Sequence, residues 1–384
     1  MTIPIDYRII DNRSIKDFSK KTFSNYLVKD VLTVLNKSLL ACKVEESCNW
    51  TMELLISGLY DKFWEKIFSI FFKNININNP ILPCFIFKRY DKFLTYLEKY
   101  DNILELRNNQ VIRNMFCEIC CVICNSVKTK TLIFSKIKEN DFNMSYLTTK
   151  MKADRDSYIN DKIKYGDPSE MKIIMNEFNY CLISKNYELC NYWLSWVFEF
   201  EKKNTKKNNL YVCGFREIEN IDNKYKNDVC WFIWEILIKE SLKLNDVSSS
   251  NIHALYSFYK KDFKLAQKSK KNYCFLYAIK YFTDIYGTSR SIIPDFNIII
   301  QACSNVNSLF IDKINNSHNN EKIIIEKKNY KKNVSNMTQK ELEKIYEREK
   351  KEKIKKLKEI ADTKMKLKIN TVEQIDSLIL NGKI

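Results

Sequence analysis

Ten of the 384 residues are glycine or proline, five of each, and no other feature narrows the fold so far. An average chain uses roughly 7% glycine and 5% proline. Tight β-hairpins need φ > 0 at their central positions, which glycine supplies at least strain. A chain this poor in glycine can turn few hairpins. The expected fold is therefore all-α, either a multi-helix bundle or an irregular array of helical hairpins with a long charged C-terminal helix.

The spacing of apolar residues agrees. In "DVLTVLNKSLLACKVEESCNWTMELLISGLYDKFWEKIFSIFF" they recur three and four apart, and Gly58 stands where one helix can stop before the next begins. "KNININNPILPCF", with Pro80 and Pro83, reads as a loop, and helices follow around Tyr90 to Tyr100 and Val111 to Val127. From Lys136 to Glu170 the chain turns polar and ends on the turn signal Gly166-Asp167-Pro168. A second helical block runs from about Met171 to Lys203, the basic connector "EKKNTKKNNL" interrupts it, and helices resume at "NDVCWFIWEILIKESL", "NIHALYSFYKKDF" and "NYCFLYAIKYFTDIY". A break falls near Pro294. After "NNSHNNEK" the text becomes charge-dense and reads as one long exposed helix, with Thr338 as N-cap and Glu341 three residues on as a capping box. Its apolar stripe (Leu342, Tyr346, Ile354, Leu357, Ala361) is interrupted at Lys350, short of a coiled coil. The resulting division is an N-terminal helical domain (1–145), a polar linker (146–170), a second helical domain (171–312) and a charged tail (313–384). "KVEESCNW" and "KNYELCNYW" echo each other, and "DVCWFIWEIL" repeats their Cys-Trp pairing, as repeated helical hairpins would.

Lys and Arg outnumber Asp and Glu by 64 to 47, a formal charge of +17. A surplus of that size favours a polyanionic partner, with solubility as the plain alternative. The N-terminus is charged throughout and lacks the apolar stretch of a secretory signal. No apolar run approaches the length of about 18 residues that spans a bilayer. A reducing compartment, cytoplasm or nucleus, is the expected location, and the thirteen cysteines are then free thiols.

The strongest basic feature is "FYKKDFKLAQKSKKNYCFLY". Lys260, Lys261, Lys264, Lys268, Lys270 and Lys271 lie between Tyr259 and Tyr273, opposed only by Asp262. Lysines meet phosphates as point charges and an exposed tyrosine can stack on a base, so these eight residues are the candidate nucleic-acid site. The plainer reading is a basic face whose aromatics point into the core.

"MFCEICCVICNSV" carries Cys117, Cys120, Cys121 and Cys124 at i, i+3, i+4 and i+7, which puts all four on one helical face. One regular helix does not aim four ligands at one ion, and the intervening Ile119, Val122 and Ile123 are apolar. A buried stripe of small hydrophobic side chains is the favoured reading. A zinc or redox role stays open, with partners such as Cys84 or Cys42; otherwise no cofactor is expected.

Catalytic signatures are sparse. Of the two histidines, His253 reads as a capping or core residue and His318 as exposed. The motifs H-E-x-x-H, G-x-S-x-G, G-x-G-x-x-G and the P-loop are missing. Asp154, Asp156 and Asp161 cluster without the glycine and terminal glutamate of an EF-hand loop. The reading leans away from an enzyme.

Two blocks, "EESCNWTMELLISGLYDKFWEKI" and "DVCWFIWEIL" with "HALYSFYKKDFKLAQKSKKNYCFLYAIKYFT", resemble uncharacterised helical proteins of nucleocytoplasmic large DNA viruses. Together they cover under a quarter of the chain. The same blocks are similar to the helical collar that follows the ATPase module of clamp-loader-like proteins; that module is missing here. The resemblance implies a collar-like or adaptor role without motor activity, at a cytoplasmic replication site or in the virion. Three expectations follow: a non-catalytic protein associating with nucleic acid or a nucleic-acid-bound assembly; a structural or scaffold protein binding other proteins; a zinc or redox protein built on Cys117 to Cys124.

Overall fold

The computed structural model describes residue 9 and residues 13–206, 212–287 and 291–334. Among these residues the chain forms thirteen α-helices and no β-strand, apart from an isolated antiparallel bridge between Lys21 and Leu27. The fold is all-α, as the shortage of glycine predicts. The helices are α1 (Val28–Leu40), α2 (Val44–Ile56), α3 (Tyr60–Ile70), α4 (Leu82–Leu97), α5 (Gln110–Asn125), α6 (Met144–Lys150), α7 (Ser169–Ile183), α8 (Tyr187–Lys206), α9 (Val229–Ser241), α10 (Asp246–Lys260), α11 (Leu265–Lys271), α12 (Tyr273–Thr283) and α13 (Asn297–Val334). Two compact units result, Met1–Asn315 and Asn316–Ile384.

The first unit is built around two helices that are apolar on every side. In α5 every residue from Met115 to Cys124 except Glu118 is buried, and in α12 so are Cys274 to Ile279. A helix apolar all round must be enclosed, and α5 is enclosed by α1, α2 and α4 while α12 is enclosed by α7, α8, α9 and α10. The α4–α10 pairing and the contacts of α12 with the turn Phe71–Ile75 join the two clusters, and one apolar core runs through both.

Three chain reversals share one device. After α1, α2 and α7, the residues Cys42 (φ 61°), Gly58 (φ 70°) and Lys185 (φ 57°) take the left-handed conformation. In each, the next amide donates five residues back: Lys43 to Ser38, Leu59 to Leu54 and Asn186 to Cys181. This is the Schellman closure of a helix end. The echoed stretches "KVEESCNW" and "KNYELCNYW" follow two of these turns, and each forms the second helix of a hairpin, α1–α2 and α7–α8, with Cys48 and Cys190 buried. The third copy differs, because α9 is the first helix of its pair with α10.

The polar stretch before α7 is pinned rather than free. Buried Glu177 accepts from the amides of Lys152 and Ala153, Asn176 from the amide of Tyr158, and the Tyr192 hydroxyl donates to Asp141. Arg216 donates to Asp167 at 3.0 and 3.1 Å, and Asp167 also accepts from the amides of Lys164 and Gly214. Burial opposes ionisation of Asp167, but these donors outweigh it and hold its carboxyl below the usual range.

Several boundaries differ from the sequence reading. The expected loop "KNININNPILPCF" is partly wound: Phe71–Ile75 forms a π-turn continuing α3, and α4 starts at Leu82 with Pro83 in its first turn, where a missing N–H costs nothing. The block from Met171 to Lys203 is two helices, and α8 runs on to Lys206 into the expected connector. "NNSHNNEK" lies within α13, which opens at Asn297. The capping box of Thr338 and Glu341 and the helix expected after it lie outside the described residues. No helix among the described residues is long and apolar enough to cross a membrane.

A basic aromatic groove as the candidate functional site

The groove begins with the π-turn. One extra residue per turn widens the helix path where α3 runs out, and such turns re-aim side chains. Lys62, Lys66, Ser69 and Lys73 stand four, three and four residues apart and so form a polar stripe beside the buried face of Phe63, Ile67 and Ile70. Across from them α10 ends at Lys260, and the chain reverses through Asp262, whose φ of 49° is a strained value for a residue with a side chain. The seven residues of α11 and the start of α12 complete the opposite wall.

Between the walls is a groove of about 640 Å³. Lys62, Lys66, Lys73, Lys261, Lys270 and Lys271 line it, against two carboxylates, Glu65 and Asp262. Its floor is aromatic. Phe258 packs on Phe68 at 4.4 Å and on Phe72 at 5.2 Å; Tyr90 meets Trp64 edge-on at 5.0 Å and Phe68 at 5.2 Å. Burial and then the negative charges of Asp262, Asp61 and Asp91 push the Tyr90 hydroxyl up, so it stays neutral.

The candidate lysines divide into those held by the fold and those facing solvent. Lys268 is buried, with its ammonium 2.5 Å from Glu201 and 2.6 Å from Asp228, which ties α11 to α8 and to the N-cap of α9. Burial alone would lower its pKa, yet the two carboxylates raise it, so it is a structural cation. Lys271 donates to the carbonyls of Phe258, Tyr259 and Lys261 and caps the end of α10; burial lowers its pKa. Lys261 pairs with Asp91 at 2.5 Å. Lys260 sits over the Tyr256 ring, and Lys264 is exposed; neither lines the groove. Lys270 lines it and its side chain is 78% exposed, 3.8 Å from Glu65. Tyr259 is fully buried and donates to Asn272, so it cannot stack on a ligand. Tyr273 lines the groove half-buried, with the Lys73 ammonium 4.4 Å from its ring centroid. Of the eight candidates the groove thus gathers Lys261, Lys270, Lys271 and Tyr273.

The sequence reading missed Lys62, Lys66 and Lys73. Their signal is present, as lysines at helical spacing on the polar side of an amphipathic helix. What no periodicity shows is that this face meets residues nearly two hundred positions further on.

The cysteines are core. Cys117, Cys120, Cys121 and Cys124 are all buried, but the helix is enclosed on all sides rather than along one stripe. Thr51 lies 3.0 Å from Cys120 and Ser47 3.4 Å from Cys124 on the α2 side, whereas Cys121 reaches the Ile298 carbonyl of α13. The thiol that joins them is Cys48 of α2, not Cys84 or Cys42: contact with it, together with burial, pushes Cys117 and Cys121 up, and burial first pushes up Cys120. Burial carries Cys124 up to about 11. Cys84 is half-buried in the first turn of α4, and Cys42 is exposed with the Lys128 ammonium 3.7 Å away. Among the described residues no group of three or more His, Cys, Asp or Glu side chains is placed to hold a metal ion. Asp154 accepts from the Tyr158 hydroxyl and Asp161 pairs with Lys162. His253, expected as a cap or core residue, is exposed midway along α10.

Comparison with known proteins adds no relative: no family model, curated protein or solved structure matches the chain.

Proposed function

We propose that this protein is a non-catalytic binding protein that associates with nucleic acid, or with a nucleic-acid-bound assembly of replication or packaging, through the groove between α3 and the α10–α12 turn. The observation that carries the reading is the groove itself: around an aromatic floor it is lined by six lysines and two carboxylates, and with Lys261 paired to Asp91 and Lys271 capping α10, Lys62, Lys66, Lys73 and Lys270 are left to face a ligand. Phosphates are neutralised by lysine, and aromatic rings between the lysines offer faces to bases. The charge balance supports it. Residues 316–384 hold 18 Lys and Arg and 11 Asp and Glu, so +7 of the +17 lies there and +10 remains in 1–315. The basic surplus is therefore not confined to the tail, which can add sequence-independent phosphate contacts to those of the groove. A place at a viral replication site or in a virion, which the resemblance implies, belongs to the same reading.

Binding of labelled single- and double-stranded DNA and RNA to the full chain across a salt series tests it. Affinity should fall steeply with salt, because each phosphate contact releases counterions. Reversing Lys62, Lys66 and Lys270 to Glu should weaken binding and flatten the slope while the helical circular dichroism stays unchanged. Negligible binding at physiological salt would make the surplus a solubility feature and favour protein assembly instead.

A further inference from the structure

We propose that the groove admits unpaired bases, so that the protein's ligand is single-stranded nucleic acid bound with little regard to sequence. This rests on the nucleic-acid reading and adds which form of nucleic acid the site takes. The shape argues first. The groove is concave and, at about 640 Å³, falls in the range of about 300–1,000 Å³ that encloses small molecules. A duplex hides its base faces in the stack and offers convex phosphate rails, which would meet only the rim lysines Lys62 and Lys270. An unpaired base can leave the strand and enter.

The floor argues next. Phe68, Tyr90 and Phe258 line the groove half-buried, and Trp64 behind them and Phe72 beside them hold the rings in place. Rings already fixed by packing lose little further freedom on binding, and every base has a face to stack on. Lysines stand on both sides of this floor, Lys62 and Lys66 on α3 and Lys73 in the π-turn on one side and the exposed Lys270 on the other, with Lys261 and Lys271 held by Asp91 and by the end of α10. A strand crossing it therefore keeps its phosphates near ammonium groups while its bases turn inward. Neutral polar groups in the lining are few, Ser69, Gln267 and Ser269 besides the hydroxyls of Tyr90 and Tyr273. Edge-specific reading of bases needs several fixed donors and acceptors; a site dominated by rings and point charges is sequence-tolerant.

The test uses the full chain and three ligands of equal length: an oligothymidylate, an abasic deoxyribose-phosphate strand and a duplex. The oligothymidylate should bind at least about tenfold more tightly than the abasic strand, the size of one stacking contact, and more tightly than the duplex. Lys66→Glu with Lys270→Glu should remove most of that preference without loss of helical signal. If the abasic strand binds as tightly, or the duplex binds as tightly as the single strand, the inference is overturned while the nucleic-acid reading stands. A preference that survives the double reversal places the bases elsewhere and overturns the groove assignment. If no ligand shows salt-dependent binding, or an acidic polypeptide such as polyglutamate displaces the oligothymidylate at equal charge, both fall.

Discussion

At the scale of single residues the sequence overstates how many lysines are available. Lys268 looks like its neighbours in "KLAQKSKKN", yet it lies between Glu201 and Asp228 in the interior. Removing one partner of a buried ionic group strands the others, so Lys268→Ala should lower stability by about 3–5 kcal/mol, whereas Lys264→Ala on the exposed side should stay within about 0.5 kcal/mol. Urea unfolding of both variants measures this. Asp167 gives a pH dependence. Its folded pKa is depressed below the ordinary carboxyl value of 3.8, so its contribution is present above that value and is lost as pH falls through the lower, folded one. The stability gap between the protein and Asp167→Asn should therefore be full at pH 6 and shrink below about pH 4, followed by denaturant unfolding at each pH.

At the scale of elements the three Schellman turns decide where helices reverse. Gly58 needs its positive φ, and a Cβ there would stand 2.5 Å from a Leu104 methyl carbon. Gly58→Ala should destabilise by more than about 1 kcal/mol. Lys185 holds the same conformation on the surface without being glycine, at a strain of about 1–2 kcal/mol, part of which is offset by the greater chain entropy of a glycine. Lys185→Gly should raise the unfolding midpoint slightly, a change of opposite sign at an equivalent turn, which thermal melts of both variants compare directly. The echo between "KVEESCNW" and "KNYELCNYW" made this pairing legible. The π-turn after α3 was not legible, because "FFKNI" contains no residue that marks an extra residue per turn. Its effect is to bring Lys73 into the groove.

At the scale of the molecule, α13 closes the first unit. Val306 and Phe310 are buried in its core, Arg113 donates to Asn307, and the Lys313 ammonium lies 3.1 Å from Glu53, which is fully buried and also accepts from the Ser24 amide and hydroxyl. Ending the chain after Asn315 should leave this unit cooperatively folded, while ending it before Asn297 should uncover Cys121 and strand the Glu53 charge, at a cost of about 3–5 kcal/mol. Thiol labelling reads the difference. Cys42 alone is exposed among the described cysteines and should react fast in both chains, with Cys121 becoming reactive only in the shorter one.

Local physics is what the sequence carries. Scarce glycine, apolar spacing and turn residues determined that the chain is helical, placed most of its helices and separated the basic stretch from the apolar ones. Pairing over long separations belongs to the tertiary structure. Only packing could choose Cys48 as the thiol beside Cys117 and Cys120, bury Tyr259 and Lys268 out of a stretch that reads as surface, and set Lys62, Lys66 and Lys73 opposite Lys270. The reason is that helical period tells which residues share a face. Which face meets which is settled by the burial of all the faces together, and that is a property of the whole molecule.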